Sequence, residues 1–307
     1  MDLRQLEQFV AVYEEGSFSR AARRENCTQP GLSVQIRNLE GQLGVELFTR
    51  NARGVAPTVA GKRFYTRSLA ILNAVEDTKL DMQNLQGAIT GAIVAGTVPS
   101  VSRSALPAAL SRFTEQHPNV ELRLDEAYGG TLTERVAAGD LDFAVITGPP
   151  AAKGLTGELI SENTMTLVSG PESPLRHLAP YSLGELPPLR LVLPSDRHSI
   201  RQVIDANLRR AGVTVETVIE SDGLNTTLEY VRRSGWSTIT LMTTVIDELE
   251  TGALVINPIV RPEIAVDYFV VRSSRRPLSP AGERFIALLT EELAEIRQRW
   301  RQATGSQ

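Results

Sequence analysis

The stretch Gly16-Ser17-Phe18-Ser19-Arg20-Ala21-Ala22-Arg23-Arg24-Glu25-Asn26-Cys27-Thr28-Gln29-Pro30-Gly31-Leu32-Ser33-Val34-Gln35-Ile36-Arg37 decides the fold of the N-terminal region. Gly16 closes a preceding helix in which Leu3, Leu6, Phe9, Val10 and Tyr13 mark one face. Ser17 caps a short helix from Phe18 to about Glu25, with Ala21-Ala22 as its close-packing step. Asn26-Cys27 turns the chain. Thr28 caps a third helix, and Pro30 sits in its first turn, where a missing N–H costs nothing. Leu32, Ile36, Leu39 and Leu43 give that helix a buried face. Its opposite face carries Gln29, Ser33 and Arg37 at i, i+4 and i+8, with Pro30 and Val34 beside them. Glutamine pairs with adenine, arginine reaches guanine or phosphate, and valine meets a thymine methyl. A short helix, a tight turn and a second helix with this face match the geometry of major-groove reading. Taken alone, the same face also suits a solvated helix of a bundle.

Outward from this core, Val45–Arg50, the turn Asn51-Ala52-Arg53-Gly54 and Val55–Thr58 read as a short hairpin, a wing. Arg50 and Arg53 would project from it toward phosphates or a minor groove, or stand as two solvated loop arginines. Residues 17–67 hold nine Lys/Arg against three acids, a local excess of six positive charges, whereas the whole chain carries −4. A basic block on an acidic body is the footprint of a small DNA-binding module attached to a separate regulatory part.

The same region resembles the DNA-binding domain of LysR-type transcriptional regulators. The match runs through Leu3-Arg4-Gln5-Leu6, Phe9-Val10-Ala11-Val12, Gly16-Ser17-Phe18, Ala21-Ala22, Thr28–Ser33, Gln35-Ile36 and Leu39-Glu40. It continues through Leu43-Gly44-Val45, Leu47-Phe48, Arg50, Thr58 and Ala60-Gly61. The resemblance implies a winged helix-turn-helix over residues 1–58, with Gln29, Pro30, Ser33 and Val34 facing the major groove and the wing arginines on the backbone or minor groove. Ser17, Thr28 and Arg37 complete the expected DNA-binding set. Four residues depart from the pattern: Glu25 for the usual Leu, Cys27 for Val, Gly31 in the third helix and Pro57 for Leu. A carboxylate buried at position 25 would be costly without a partner, so either the helix rotates enough to expose Glu25 or a cation such as Arg24 pairs with it.

Residues 59–86 read as one long linker helix. Leu69, Leu72, Val75, Leu80, Met82 and Leu85 form an apolar stripe that suits pairing with a second copy, or an intramolecular linker. The resemblance implies the dimer, with homotetramers common, which would place two reading helices on an interrupted inverted repeat in double-stranded DNA.

From residue 87 to 307, strand and helix patterns alternate, as in an α/β fold with mostly parallel sheets. Strands are expected at Ala92–Val98, Val120–Glu126, Asp142–Thr147, Met165–Ser169, Arg190–Leu193, Thr214–Ser221, Leu254–Ile256 and Ala265–Arg272. Helices are expected near 103–117, 131–138, 200–211, 224–234, 244–251 and 280–300. This is the architecture of a periplasmic-binding-protein-like sensor with two lobes, about 87–162 with 265–300 and about 163–264, and a ligand cleft between them. Gly91–Gly96, Leu106-Pro107, Phe113 with His117-Pro118, Val120–Leu122 and Gly139–Val145 match the effector domain of the same family. The second lobe departs from it at Gly235-Trp236-Ser237 and Leu241-Met242. Strand ends place Pro99, Ser100, Ser102, Thr147, Ser195 and Asp222 as effector-binding candidates, although the serines also suit simple helix caps. Free N–H groups at helix starts favour a small anion as effector.

Other classes find little support. His117, His177 and His198 lack metal-ligand spacing, and no G-x-S-x-G elbow, phosphate-binding Walker loop or G-x-G-x-x-G after a strand occurs. No catalytic activity, cofactor or metal is expected. The lone Cys27 excludes an internal disulfide and a cysteine-built metal site. The opening Met1–Glu7 is amphipathic and acidic, unlike an export signal, and no apolar run is long enough for a bilayer. The expected setting is cytoplasmic, the expected role transcription regulation, and RNA polymerase a further partner.

Overall fold

The computed structural model describes residues 1–51, 54–84, 89–249 and 251–305. Two compact units divide the chain, Met1–Gly87 and Ala88–Gln307. The first contains α1 (Leu3–Glu15), α2 (Phe18–Arg24), α3 (Gln29–Leu43), the hairpin β1 (Phe48–Asn51) and β2 (Gly54–Pro57), and α4 (Val59–Asn84). Each of the first three helices is stopped or started by the residue its chemistry demands. Asp2 Oδ1 accepts from the Gln5 N–H at 2.9 Å while Gln5 Oε1 accepts from Asp2 N–H at 3.1 Å. Gly16 ends α1 at φ 56°, a left-handed conformation that a β-carbon disfavours. Ser17 Oγ and Thr28 Oγ1 then cap α2 and α3.

Phe9, Leu32, Ile36, Leu39 and Leu47 fill the core of this unit. Phe9 meets Phe64 of α4 edge-on at 4.8 Å, and Tyr13 stacks on Tyr65 at 3.9 Å. The early part of the α4 stripe, Leu69 and Leu72, packs on this same core. Leu85 lies outside the described residues, as do the side chains of Leu80 and Met82. One expectation needs correction: the buried face of α3 ends at Leu39, and Leu43 is 36% exposed. Glu25 caps the C-terminus of α2, half-exposed, beside Arg24.

The second unit holds two five-stranded sheets. Its elements are β3 (Gly91–Thr97), α5 (Pro99–Arg103), α6 (Ala105–Gln116), β4 (Val120–Glu126), α7 (Gly129–Ala138), β5 (Phe143–Thr147) and β6 (Leu155–Ser161). Then come β7 (Met165–Ser169), β8 (Leu189–Leu193), α8 (Ser199–Ala211), β9 (Val215–Glu220), α9 (Leu224–Arg232) and β10 (Ser237–Leu241). A 3-10 segment (Met242–Glu248), β11 (Val255–Pro258), β12 (Tyr268–Ser273) and α10 (Pro280–Thr304) follow, and a short 3-10 turn (Leu183–Glu185) lies between β7 and β8. Lobe I orders its strands β4-β3-β5-β12-β6 and lobe II β11-β7-β10-β8-β9. Two antiparallel passages join the lobes side by side. Met165 N–H donates to Ile264 O at 2.9 Å and Val266 N–H to Asn163 O at 2.8 Å.

The sheets are mixed rather than mostly parallel. In each lobe the strand returning from the hinge enters antiparallel, so parallel and antiparallel pairings share the sheet. Strands β6 and β10 escape the apolar-run reading. The first is an exposed edge, and the second buries Ser237 and Thr238 among its apolar residues, with Ser237 Oγ 2.8 Å from Ser169 Oγ. The helix expected from 103 begins earlier, because Pro99 opens α5 and a non-helical Ser104 (φ −102°, ψ −85°) separates it from α6. The helix expected at 244–251 is the 3-10 segment, broken at Val245. In α10, Phe285, Leu288, Leu289 and Leu293 are fully buried on lobe I, and Phe285 meets Phe113 edge-on at 5.1 Å. Each such side chain contributes about 1.5–3 kcal/mol of burial. Among the described residues, no helix is long and apolar enough to cross a membrane.

Candidate nucleic-acid interface and interlobe cleft

The first turns of α3 present Gln29, Pro30, Val34 and Arg37 to solvent, with Val34 45% exposed. An exposed valine between polar side chains has no role in the core of its own unit. Arg37 Nε donates back to Ser33 O at 3.3 Å, which directs the guanidinium along the helix. Ser33 departs from the expected exposed row. It is 6% exposed, and Gln29 Nε2 donates to its Oγ at 2.9 Å, because residues four apart lie one above the other on a helix. Ser33 therefore holds the Gln29 carboxamide in place. Ser17 and Thr28 act as helix caps, and Thr28 is exposed beside Gln29. The wing is fixed from below by Glu40, whose Oε1 accepts from Leu47 N–H at 2.8 Å and Phe48 N–H at 3.2 Å. Arg53 and the side chain of Arg50 lie outside the described residues.

Between the lobes of the second unit runs a cleft of about 320 Å³. Lobe I contributes Val98, Pro99, Ser100, Tyr128 and Thr147, and lobe II contributes Pro194, His198, Ile200, Asp222 and Ile239, among others. Four of the six expected effector residues thus meet here: Pro99, Ser100, Thr147 and Asp222. Ser102 does not line this cleft. Its Oγ sits 2.8 Å from Thr97 Oγ1 on the far side of α5, toward Glu126 and Asn225. Ser195 is likewise outside the lining, because it is spent on Asp222, donating its N–H at 2.8 Å and its hydroxyl at 3.1 Å. Sequence reasoning missed Tyr128, Arg197 and the β10 residues. The Tyr128-Gly129-Gly130 helix start was the signal available for the first.

The charges of the cleft are unequal in availability. Asp222 is committed: besides Ser195, the Tyr128 hydroxyl faces it, and His198 Nε2 lies 3.3 Å from Oδ1 without hydrogen-bond alignment. The Ser195 N–H, then its hydroxyl, holds the Asp222 carboxyl below its ordinary value. Burial pushes the His198 imidazole below its usual value, against the opposing pull of Asp222. His198 and Tyr128 also meet as rings, edge to face at 3.9 Å, so side chains of the two lobes touch across the opening. Arg197, by contrast, lines the cleft with no hydrogen bond or ion pair among the described residues. Helices α7 of lobe I and α8 and α9 of lobe II begin in the cleft lining, at Gly129, Ser199 and Leu224, and none has a side-chain cap. Helices α1, α2, α3 and α10 all do. Uncapped N–H groups beside a free guanidinium form a positive wall. No cluster of metal-ligating side chains occurs among the described residues.

Comparison with known proteins joins the two sites. The family model described as "Bacterial regulatory helix-turn-helix protein, lysR family" matches residues 3–62, and that of the LysR substrate binding domain matches residues 86–294. The HTH-type transcriptional regulator CfxR of Cupriavidus necator is 31% identical over 96% of this chain and 93% of its own length. The nitrogen assimilation regulatory protein nac of Escherichia coli is 32% identical over 72% of each chain. Among solved structures, a cysteine mutant of Corynebacterium glutamicum OxyR superimposes with a TM-score of 0.65, at 25% identity, covering 98% of this chain and 95% of that one. Full-length CbnR in complex with its target DNA shares the fold, with a TM-score of 0.61 at 21% identity, covering 95% of this chain and all of that one. The chain belongs to the LysR family: it is a DNA-binding transcriptional regulator with an effector-binding domain of the LysR substrate-binding type.

Proposed function

We propose that this regulator reads an interrupted inverted repeat as a homodimer or homotetramer, and that a small organic anion in the interlobe cleft controls it. The observation that carries the ligand class is which charged groups in the cleft are left without hydrogen-bond partners. Asp222 is saturated by its own neighbours, while Arg197 and three helix starts face the cavity without partners. Apolar walls from Val98, Pro99, Ile200 and Ile239 suit a compact body attached to that anion. On DNA, Gln29, Pro30 and Val34 meet base edges, Ser33 positions Gln29, and Arg37 with Arg50 and Arg53 takes phosphates or the minor groove. Ser17 and Thr28 present their helix starts to the backbone. The protein acts by binding rather than by catalysis, in the cytoplasm, and occupancy biases one lobe arrangement by no more than the ligand's differential affinity for the two. Contact with RNA polymerase follows from where the assembly sits on the promoter.

Two measurements test this. Genomic fragments captured by the purified full chain are sequenced and should share an inverted repeat. Thermal unfolding is then recorded with a panel of small carboxylates, phosphate esters and their neutral amides. Stabilisation by an anion, lost in Arg197→Gln, supports the reading; stabilisation only by neutral or cationic compounds overturns it.

A further inference from the structure

Behind the cleft, one arginine joins elements of both lobes. Arg103 ends α5, the five-residue helix whose first residues, Pro99 and Ser100, line the cavity. Its Nε donates to Thr244 O at 3.0 Å, its Nη1 to Asn225 Oδ1 at 2.8 Å, and its Nη2 to the Glu248 carboxylate. Glu248 is buried, its side chain 9% exposed, and Arg232 Nη2 stands 3.5 Å from it on the other side.

The 3-10 segment carrying Thr244 and Glu248 is itself fastened to lobe I. Thr243 Oγ1 is 2.8 Å from the buried Tyr268 hydroxyl, and Arg299 of α10 reaches Asp247 at 3.2 Å. Within this network, behind the cleft, the contacts that pass between lobes are therefore Arg103 to Asn225 and Glu248 to Arg232. They grip the first and last turns of α9, a helix of lobe II whose Leu224 and Thr227 form part of the cleft wall. A guanidinium is a planar fork, so three acceptors on two elements fix its orientation as well as its position.

We propose that Arg103 is the positioning residue that sets the angle between the lobes and transmits cleft occupancy to it. Ser100 and Arg103 are one helical turn apart, and the non-helical Ser104 breaks the helix between α5 and α6. A body pressing on Pro99 and Ser100 moves α5 as a unit, and Arg103 carries that displacement to α9. The transmission half of this statement rests on the cleft being the effector site; the lobe angle does not.

The test measures that angle directly, with neither DNA nor effector present. In a full-length Cys27→Ser background, spin labels are placed at Glu115→Cys on α6 and Arg210→Cys on α8, both exposed positions in different lobes. Pulsed electron resonance then gives the interlobe distance distribution. With the labelled chain diluted in excess unlabelled chain, so that intrachain pairs dominate, the parent should give one narrow distribution. Arg103→Gln should broaden and shift it, Asn225→Ala should do so less, and Arg103→Lys should recover part of the parent profile. Arg112→Gln removes pairs with Glu291 and Glu292 inside lobe I and should leave the distribution unchanged. The proposal is overturned if folded Arg103→Gln and Asn225→Ala both superimpose on the parent, or if Arg112→Gln broadens it equally. Asn225 is exposed, so Asn225→Ala carries the test should Arg103→Gln not fold. Failure here leaves the cleft reading standing, since that reading is tested by ligand-induced thermal stabilisation.

Discussion

Truncating Gln29 to alanine should weaken sequence preference while sparing the fold. The carboxamide sits at the first turn of α3 and is held by its 2.9 Å bond to Ser33 Oγ, so little side-chain freedom remains to be lost on contact with a base. A well-placed side-chain pair with a base contributes about 1–3 kcal/mol of discrimination. At about 1.4 kcal/mol per tenfold, that is about 5- to 150-fold per half-site, and about 25-fold to 10⁴-fold for a dimer using two. Gln29 is exposed and alanine is the better helix former, so the unfolding midpoint should stay within about 0.5 kcal/mol of the parent. Fluorescence anisotropy at one fixed salt concentration is the assay, comparing a duplex recovered by genomic capture with a scrambled one. The selected duplex should lose affinity and the scrambled one should not. An equal fall on both, or none on the selected duplex, would refute the assignment of Gln29 to a base edge.

Both tryptophans, Trp236 and Trp300, lie in the C-terminal unit, so their fluorescence follows that unit while circular dichroism follows both. Thr28→Ala removes the Oγ1 cap on Gly31 N–H and should lower the stability of the N-terminal unit by about 1 kcal/mol, seen by dichroism and absent from tryptophan fluorescence. Gly61→Ala should do the same more severely, because an added β-carbon would stand 2.1 Å from Leu47 O; an unchanged melting profile would contradict that close approach. Tyr268→Phe removes the 2.8 Å hydrogen bond to Thr243, which keeps Asn163 Nδ2 as a donor at 3.2 Å, and should cost about 0.5–1.5 kcal/mol in the fluorescence-detected transition. On acidification below about pH 6.5 the C-terminal unit should lose stability. The unfolded chain takes a proton that the buried His198 ring resists, so unfolding is favoured as pH falls toward the lowered folded value. His198→Gln should make that limb shallower, and the His117 ring, also pushed below its usual value by burial, carries the remainder. Asp222 contributes a second, more acidic loss, as pH falls below the ordinary carboxylate range through its depressed folded value, and Asp222→Asn should remove it.

How much was legible in the sequence depended on the range of the contacts involved. The caps Ser17 and Thr28 act within three residues, so their chemistry could be read directly. The apolar strands β4 and β7 were found end to end for the same local reason. Strand β10 was missed because its hydroxyls are satisfied by a neighbouring strand nearly seventy positions away, and period alone cannot show such a partner. In the cleft, segments 98–100, 147 and 222 were legible as strand ends. Arg197 was not, since a loop arginine acquires meaning only when its neighbours leave it unpaired. Ser195 was read as a ligand group, yet its two donors already serve Asp222, a pairing across 27 positions.

The helix-turn-helix and the alternation of strand and helix follow from the sequence by itself, because hydrophobic period and capping chemistry act over a few residues. Folding in three dimensions decided which charges are spent and which are free. Ser33 turned inward to hold Gln29, the Asp222 carboxylate was taken up by hydrogen-bond donors from both lobes, and Arg103 found its acceptors more than a hundred positions away. Hydrogen bonds and ion pairs depend on ångström-scale positions of distant segments, and only the packed chain sets those positions.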